Sequence, residues 1–337
     1  MGKNIRFAII GCGRIATRHA AEILKHGVLI GVADIIEEKA KAFAKKYNTK
    51  PYTSVTSLIQ QEVIDVIAVC TPNGLHSTHS IQSLDAGINV LCEKPMALTT
   101  SDAEKMIRAA EKNEKKLFVV KQNRYNPPVM FVKKLLDEKK LGKINSFQLN
   151  CFWNRPPEYF TDGWRGTLNM DGGILFTQFS HFIDLLYHFL GEIKNVTGMR
   201  ANFLHKESIA FEDFGIANLQ MVNGSVGTLN YTINAVEKNM EGSLALFGEK
   251  GTVKIGGQYL NELEYFSVTD VPLPHLQKGN PANEYGFYTG SMSNHDKVYD
   301  NLIKTLADPA HPFINMSDIL KVTTMIESIY ENSPFIK

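Results

Sequence analysis

Residues 5–34 read IRFAIIGCGRIATRHAAEILKHGVLIGVAD, and this stretch decides how the first part of the chain folds. An apolar run of strand type (residues 5–10) meets GCGRIA at once. A helical stretch to about Lys25, a second apolar run over residues 28–33 and then Asp34 follow. Gly11, Gly13 and Ala16 fit GxGxxG/A, in which the third position tolerates alanine. The first glycine permits a tight turn, and the second lets the backbone approach a pyrophosphate. The helix N-terminus after them, with Arg14 and Ile15 in the turn, aims its N–H groups at phosphates. Asp34 stands about 20 residues on, where a carboxylate binds the hydroxyls of an adenosine ribose. That carboxylate would repel a 2′-phosphate, so NAD is expected and NADP is disfavoured.

The alternation continues. VIDVIAVC (63–70), INVLC (88–92) and KLFVVKQ (116–122) are near-continuous apolar runs of the kind buried in a parallel sheet. Helical stretches over 75–86 and 101–113 separate them, the second with Thr100 as a candidate N-cap. Each run ends in an unusual polar cluster: Thr71-Pro72-Asn73, Glu93-Lys94-Pro95 and Asn123-Arg124-Tyr125. Open parallel sheets bind ligands outside the C-terminal ends of their strands. Lys94 in isolation reads equally well as a surface-loop lysine. At a strand end, before a proline that restricts it to extended backbone, it becomes a candidate for holding a hydroxyl and, when desolvated, for losing its proton.

The bulk composition bounds the function. The 337 residues exceed a usual single core, so two domains are expected, 1–125 and 126–337. Net charge is +1, which gives no bulk electrostatic case for nucleic acid or an anionic membrane. The lysine clusters at 112–116 and 139–143 read as solvated surface. Mean hydropathy is −0.15, and no apolar run approaches the ~20 residues that span a bilayer. The opening MGKNIRFAIIG is too short for a signal peptide, and Arg6 stands where a myristoylation signal wants Ser or Thr. A cytoplasmic location is expected. The four cysteines form no CxxC pair and read as reduced, mostly buried residues.

After Pro127-Pro128 and one helix (about 129–138) the pattern turns β-rich, with runs at 144–153, 194–203, 215–222, 225–233, 242–247 and 252–255. Asn223-Gly224 is a hairpin signal. An open, mostly antiparallel or mixed sheet is expected, within an α/β chain whose first domain is of Rossmann type. The stretch DGGILFTQFSHFIDLLYHFLG (171–191) has no breaker between its end glycines and reads as one helix of about five turns on that sheet. Thr177, His181, Asp184 and His188 would share one face of it. Two further helices are expected near 295–306 and 317–332.

GCGRIA, CTPNGLHSTHS, CEKPMAL and NRYNP, followed by the 171–191 stretch, resemble the Gfo/Idh/MocA oxidoreductases over nearly the whole chain. The resemblance implies a nicotinamide cofactor, oxidation or reduction of a sugar or cyclitol carbon, and a homo-oligomer, dimer or tetramer, built through the outer face of the C-terminal sheet. It makes Lys94 the lysine of the EKP motif and His181 the helix histidine, the two catalytic candidates. It places Gly11, Gly13, Arg14, Ile15, Asp34, Thr71, Asn73, His76, Glu93, Lys94 and Asn123 at the cofactor. It places Lys94, Tyr125, Arg155, Arg165, Thr177, Gln178 and His181 at the substrate.

The usual pattern GGGxLxDxGxHxxD is altered at three places, with Asp171 for the first glycine, Thr177 for the aspartate and Phe179 for a later glycine. WNRPPEYF, DGWRG and NMEGSLALFGEKGTVKIGGQ, with YGFYTGSMSNHDKVY, are similar to the nucleotide-sugar branch, the UDP-N-acetylglucosaminuronate 3-dehydrogenases of surface-polysaccharide synthesis. Arg155 and Arg165 are then candidates for the diphosphate. Three competing readings stay open: a free sugar, cyclitol or small diol as substrate; a non-catalytic dinucleotide or sugar sensor; and a metal on His181, Asp184 and His188. No metal is expected, because Asp184 reads as orienting a neighbour and His188 as a satisfied core histidine.

Overall fold

The computed structural model describes residues 5–286, 288–308 and 310–336. The chain forms two compact units, residues 1–120 with 295–323 and residues 121–294 with 324–337.

The first unit alternates strand and helix: β1 (Ile5–Ile10), α1 (Ala16–His26), β2 (Gly27–Ala33), α2 (Glu37–Tyr47), β3 (Lys50–Tyr52), α3 (Val55–Gln61), β4 (Val66–Val69), α4 (His76–Asp85), β5 (Asn89–Cys92), α5 (Thr100–Lys112) and β6 (Leu117–Val119). The strands pair in parallel in the order β3-β2-β1-β4-β5-β6. Sequence order reverses between β1 and β4, the switch point of a doubly wound sheet. Both faces are buried, which is why the strands read as continuous apolar runs. Ala8 and Ile10 of β1 join Ile67, Val90 and Met106 in one core. Phe7, also fully buried, meets Tyr299 at 6.0 Å between ring centroids. Helix starts follow their caps: Ser54 accepts from Ser57 N at 3.1 Å and Thr99, rather than Thr100, accepts from Asp102 N at 3.1 Å.

The second unit opens with α6 (Pro127–Asp137), β7 (Ile144–Phe152), α7 (Ile174–Thr177) and α8 (Ser180–Leu190). β8 (Ile193–Ala201), β9 (Phe214–Met221), β10 (Val226–Thr232), β11 (Glu241–Gly248), β12 (Gly251–Gly256) and β13 (Glu262–Val268) follow. A small hairpin, β14 (Ala282–Glu284) with β15 (Thr289–Met292), ends this run. The seven-stranded sheet runs β13-β12-β11-β7-β10-β9-β8. Among the described strand pairs of this sheet, only β7 with β10 is parallel. Phe147, Leu149 and Cys151 of β7 point inward, toward the face that carries α8. The opposite face presents Ser146, Gln148, Asn218, Gln220 and Thr228.

Two expectations need correction. The 171–191 stretch is not one helix: a one-turn α7 and the longer α8 are separated at Gln178 and Phe179. Nor does the chain divide at residue 125. The first unit ends at Val120 and takes back α9 (His295–Ala307) and the first half of α10 (Met316–Glu331). The reason is non-local packing. α9 buries Val298, Tyr299 and Leu302, and Ile319 of α10 enters the first unit's core. β3, β13 and the β14–β15 hairpin were not expected.

Candidate active site

In the first unit, parallel pairing of β1, β4 and β5 brings the Gly11 turn, Thr71-Pro72-Asn73 and Glu93-Lys94-Pro95 to one sheet edge. Gly11 follows β1 with φ +90, and its N–H bonds to Ala33 O at 2.8 Å. A side chain there would meet Cys70 O at 2.7 Å, so the turn needs glycine. At Gly13 a side-chain atom would meet nothing within 4 Å, which leaves open space beside the turn. Ile15 stands at the N-cap of α1 and makes no side-chain cap, and the first turn carries no acidic residue. The N–H groups there suit an anion. Asp34 receives Cys12 N on Oδ2 and Ile36 N on Oδ1, each at 2.9 Å. These features fit a dinucleotide whose ribose carries free hydroxyls. Arg14 is exposed in the same turn.

Beyond β4, Asn73 is buried and starts a short 3-10 turn. His76 is also buried, with Nδ1 2.6 Å from Pro95 O and Nε2 2.9 Å from Thr71 O. Burial pushes its pKa down, against the pull of the Pro95 carbonyl and of Glu93. Lys94 is half-buried, and its bond to Pro95 is cis.

In the second unit, His181 lies in the first turn of α8 and is 2% exposed. Gln122 Nε2 donates to His181 Nε2 at 3.1 Å, so that ring nitrogen carries a lone pair. Several buried polar atoms nearby in sequence have no hydrogen-bond partner: both ends of the Asn123 carboxamide, Gln122 Oε1 and Ser180 Oγ. Buried polar groups in folded proteins are mostly paired, and several orphans on neighbouring residues call for a ligand or water. Tyr125 is half-buried at the end of a 3-10 turn formed by Gln122–Tyr125.

Asp184, one turn past His181, is committed elsewhere. Arg124 binds it bidentately with both contacts at 2.8 Å, and Lys121 Nζ lies 3.2 Å away. Burial would raise its pKa, but the two cations outweigh that and hold it ionised. Burial also lowers Lys121. His188 is pushed down to about 4 by burial and then by Arg124. Two cations on Asp184 oppose a metal at His181, Asp184 and His188.

Thr177, no longer on His181's helix, donates to Asp171 O at 3.0 Å and also to the Asp171 carboxylate. Gln178 accepts from Arg155 Nε at 2.7 Å and donates to Tyr159 Oη at 2.9 Å. Arg155 is buried among Trp153, Tyr159 and Tyr288, with ring centroids 4.8–5.3 Å from its guanidinium carbon. Its hydrogen-bond acceptors are neutral: Gln178, Asn239 and the Asn154 carbonyl. Burial lowers its pKa. Arg165 packs on Tyr159 and Trp164 and is paired with Asp162. Asn239 and Gln122 were missed in the sequence, Gln122 because it closes an apolar run and reads as strand.

Residues 5–121 match the model of the oxidoreductase family with an NAD-binding Rossmann fold, and residues 129–254 match the GFO/IDH/MocA C-terminal domain. The chain is 34% identical to the WlbA dehydrogenase of Chromobacterium violaceum, solved with NADH and UDP-GlcNAcA. That likeness covers 99% of this chain and 95% of the other, with a TM-score of 0.88. The Bordetella pertussis WlbA dehydrogenase, in complex with the same two ligands, is 31% identical over 98% and 97% of the two chains, also with a TM-score of 0.88. Glucose-6-phosphate 3-dehydrogenase of Bacillus subtilis is 26% identical over 97% and 95%. With both domain models matched in order and a relative above 30% identity along nearly its full length, this chain belongs to the Gfo/Idh/MocA family of NAD-binding oxidoreductases.

Proposed function

We propose that the chain transfers a hydride between a sugar ring carbon, C3 of a UDP-N-acetylhexosamine or its uronate, and nicotinamide, in the synthesis of a surface polysaccharide. Bound NAD supplies the hydride acceptor. In the oxidising direction the ring carbon loses hydride while its hydroxyl loses a proton, and a ketone remains. His181 takes that proton, since imidazole titrates near working pH and its Nε2 holds a lone pair. Lys94 holds the hydroxyl and stabilises charge developing on its oxygen. Asn123 and Tyr125 line the nicotinamide side, and Gln178 and Thr177 the sugar side. Arg155 and Arg165 take the anionic groups of the substrate.

The observation that carries this reading is a set of buried polar atoms with no hydrogen-bond partner among the described residues, on Gln122, which bonds His181, and on the chain neighbours of these two residues: the Asn123 carboxamide, Gln122 Oε1 and Ser180 Oγ. A polyhydroxylated ligand satisfies donors and acceptors of this kind together. Arg155, buried without a carboxylate among its hydrogen-bond partners, supports an anionic substrate over a neutral one. A second reading, a phosphorylated or free sugar or a cyclitol, draws on the glucose-6-phosphate 3-dehydrogenase relative.

The test is nicotinamide absorbance with purified protein against UDP-sugars, their uronates, free sugars and sugar phosphates, with NAD and NADP. A 2-oxo acid serves as a recycling acceptor. Turnover of UDP-GlcNAcA with NAD, cut about 10²–10⁴-fold in Lys94→Met and His181→Asn while NAD affinity persists, is expected. Turnover of free sugars alone would overturn the nucleotide-sugar reading. NAD binding without turnover of any sugar would return the chain to the sensor reading.

A further inference from the structure

Glu93 precedes Lys94, yet its carboxylate turns into the first unit and is 5% exposed. Oε1 accepts from His19 Nε2 of α1 at 2.8 Å and from His295 Nε2 of α9 at 3.2 Å. Oε2 accepts from the main-chain N of Lys94 at 3.1 Å. Behind His19, Tyr299 Oη of α9 lies 2.8 Å from Nδ1. On the other flank of Lys94, His76 of α4 meets Pro95 O at 2.6 Å. The backbone on both sides of Lys94 is therefore tied to buried side chains from three helices.

Proton bookkeeping gives the cluster a direction. Burial raises the Glu93 carboxyl, but hydrogen bonds from the two histidines overcome this and hold it well below the usual range. Burial lowers His19, against the pull of Glu93, and leaves its ring neutral. A neutral His19 that donates from Nε2 must accept at Nδ1, so Tyr299 is the donor there. The charge on Glu93 is thus met by three N–H groups, one of them from Lys94 itself. A buried carboxylate deprived of donors would be costly, so each donor is held in place.

We propose that His19, Glu93 and His295, with Tyr299 behind them, are positioning residues that fix the backbone of Lys94 and through it the placement of its ammonium. The inference rests on the reading above that Lys94 acts on the substrate hydroxyl. The same trio has ligand atoms within 4.8 Å of one another, close enough for a metal. The hydrogen-bond arrangement is favoured because Glu93 Oε1 and His19 already meet donors and acceptors at ordinary distances. Cys70 and Cys92 of the neighbouring strand ends, Glu22 of α1 and His76 are the other titratable groups that face this cluster.

The experiment uses the full chain, UDP-GlcNAcA as substrate and the variants His19→Ala, His295→Ala, His19→Gln and His295→Gln, since glutamine can place an N–H near the Nε2 position. The alanine variants should bind NAD within about twofold of the parent and leave KM for the sugar little changed. They should lose kcat by about tenfold to a hundredfold, the scale of an ångström misplacement. The glutamine variants should recover most of that loss. In the Lys94→Met background, His295→Ala should have almost no further effect on residual turnover, as expected of residues acting as a unit. Should an alanine variant fail to fold, Tyr299→Phe keeps the ring and deletes only the hydroxyl behind His19, and a several-fold loss of kcat is expected. Near-parental turnover in Lys94→Met would overturn the reading of Lys94 and this inference with it. An inactive Lys94→Met together with parental kcat in the alanine and Tyr299→Phe variants, or full additivity with Lys94→Met, would overturn the inference alone. So would one zinc per chain that is lost in His295→Gln.

Discussion

Asp34 is fixed by the chain itself, each carboxylate oxygen accepting one backbone N–H at 2.9 Å. Each oxygen keeps a further acceptor direction, so ribose hydroxyls can be bound without reorienting the side chain. A 2′-phosphate would meet that charge at short range, and like charges brought together cost several kcal/mol. Asp34→Ser should therefore lower the ratio of kcat/KM for NAD over NADP by roughly tenfold or more. Steady-state kinetics with both cofactors check this, and an unchanged ratio removes Asp34 as the discriminator. Its place beside the glycine turn was legible because motif and acid sit close in sequence. The role of Thr177 was not. Read singly, Asp171 and Thr177 are two departures from the family pattern; folded, the Thr177 hydroxyl bonds to the Asp171 carboxylate, which also accepts from Gly166 N at 2.8 Å. They are one paired change, visible only when the chain is closed.

At the scale of elements, the break between α7 and α8 has a tertiary cause. Nothing between Ile174 and Leu190 forbids a continuous helix, but Phe179 turns into an aromatic group with Trp153, Phe182 and Tyr231. The start of α7 is pinned as well. Gly173 has φ +114, where a side chain would collide with Tyr330 Oη. That hydroxyl accepts from Leu175 N at 3.0 Å and donates to Glu212 at 2.6 Å. Glu212 is fully buried, and burial raises its pKa from 4.5 to about 7. A carboxyl with a raised folded-state pKa stabilises fully below about 4.5, and that contribution fades as pH rises to about 7. Glu212→Gln mimics the protonated form. Its stability relative to the parent should be near equal at pH ~4 and higher by up to roughly 3 kcal/mol at pH ~8. Chemical denaturation at the two pH values checks this; a pH-independent difference would sink it.

At the scale of the whole molecule, the local signals read well and the long-range ones did not. The glycine turn, the strand-end clusters, the hairpin at Asn223-Gly224 and the open sheet follow from short windows of sequence, because period and turn chemistry are local. The cluster around Glu93 draws on residues 19, 93, 295 and 299, separations that no window spans. The same separations erase the boundary expected at residue 125. α9 supplies Val298, Tyr299 and Leu302 to the first unit, all nearly or wholly inaccessible to solvent, and Tyr299 caps the polar chain through His19 to Glu93. A fragment ending at residue 125 would leave that apolar surface of β1 and α1 uncovered. It would also leave Glu93 short of one donor and His19 short of its hydroxyl. Burying three such side chains is worth about 1.5–3 kcal/mol each, comparable with the net stability of many domains. Residues 1–125 alone should therefore show no cooperative thermal transition, whereas residues 1–120 joined by a short flexible linker to 295–323 should regain one. Calorimetry of the two fragments decides it. A cooperative, equally stable 1–125 fragment would mean that α9 is an appendage and that the first unit is complete without it.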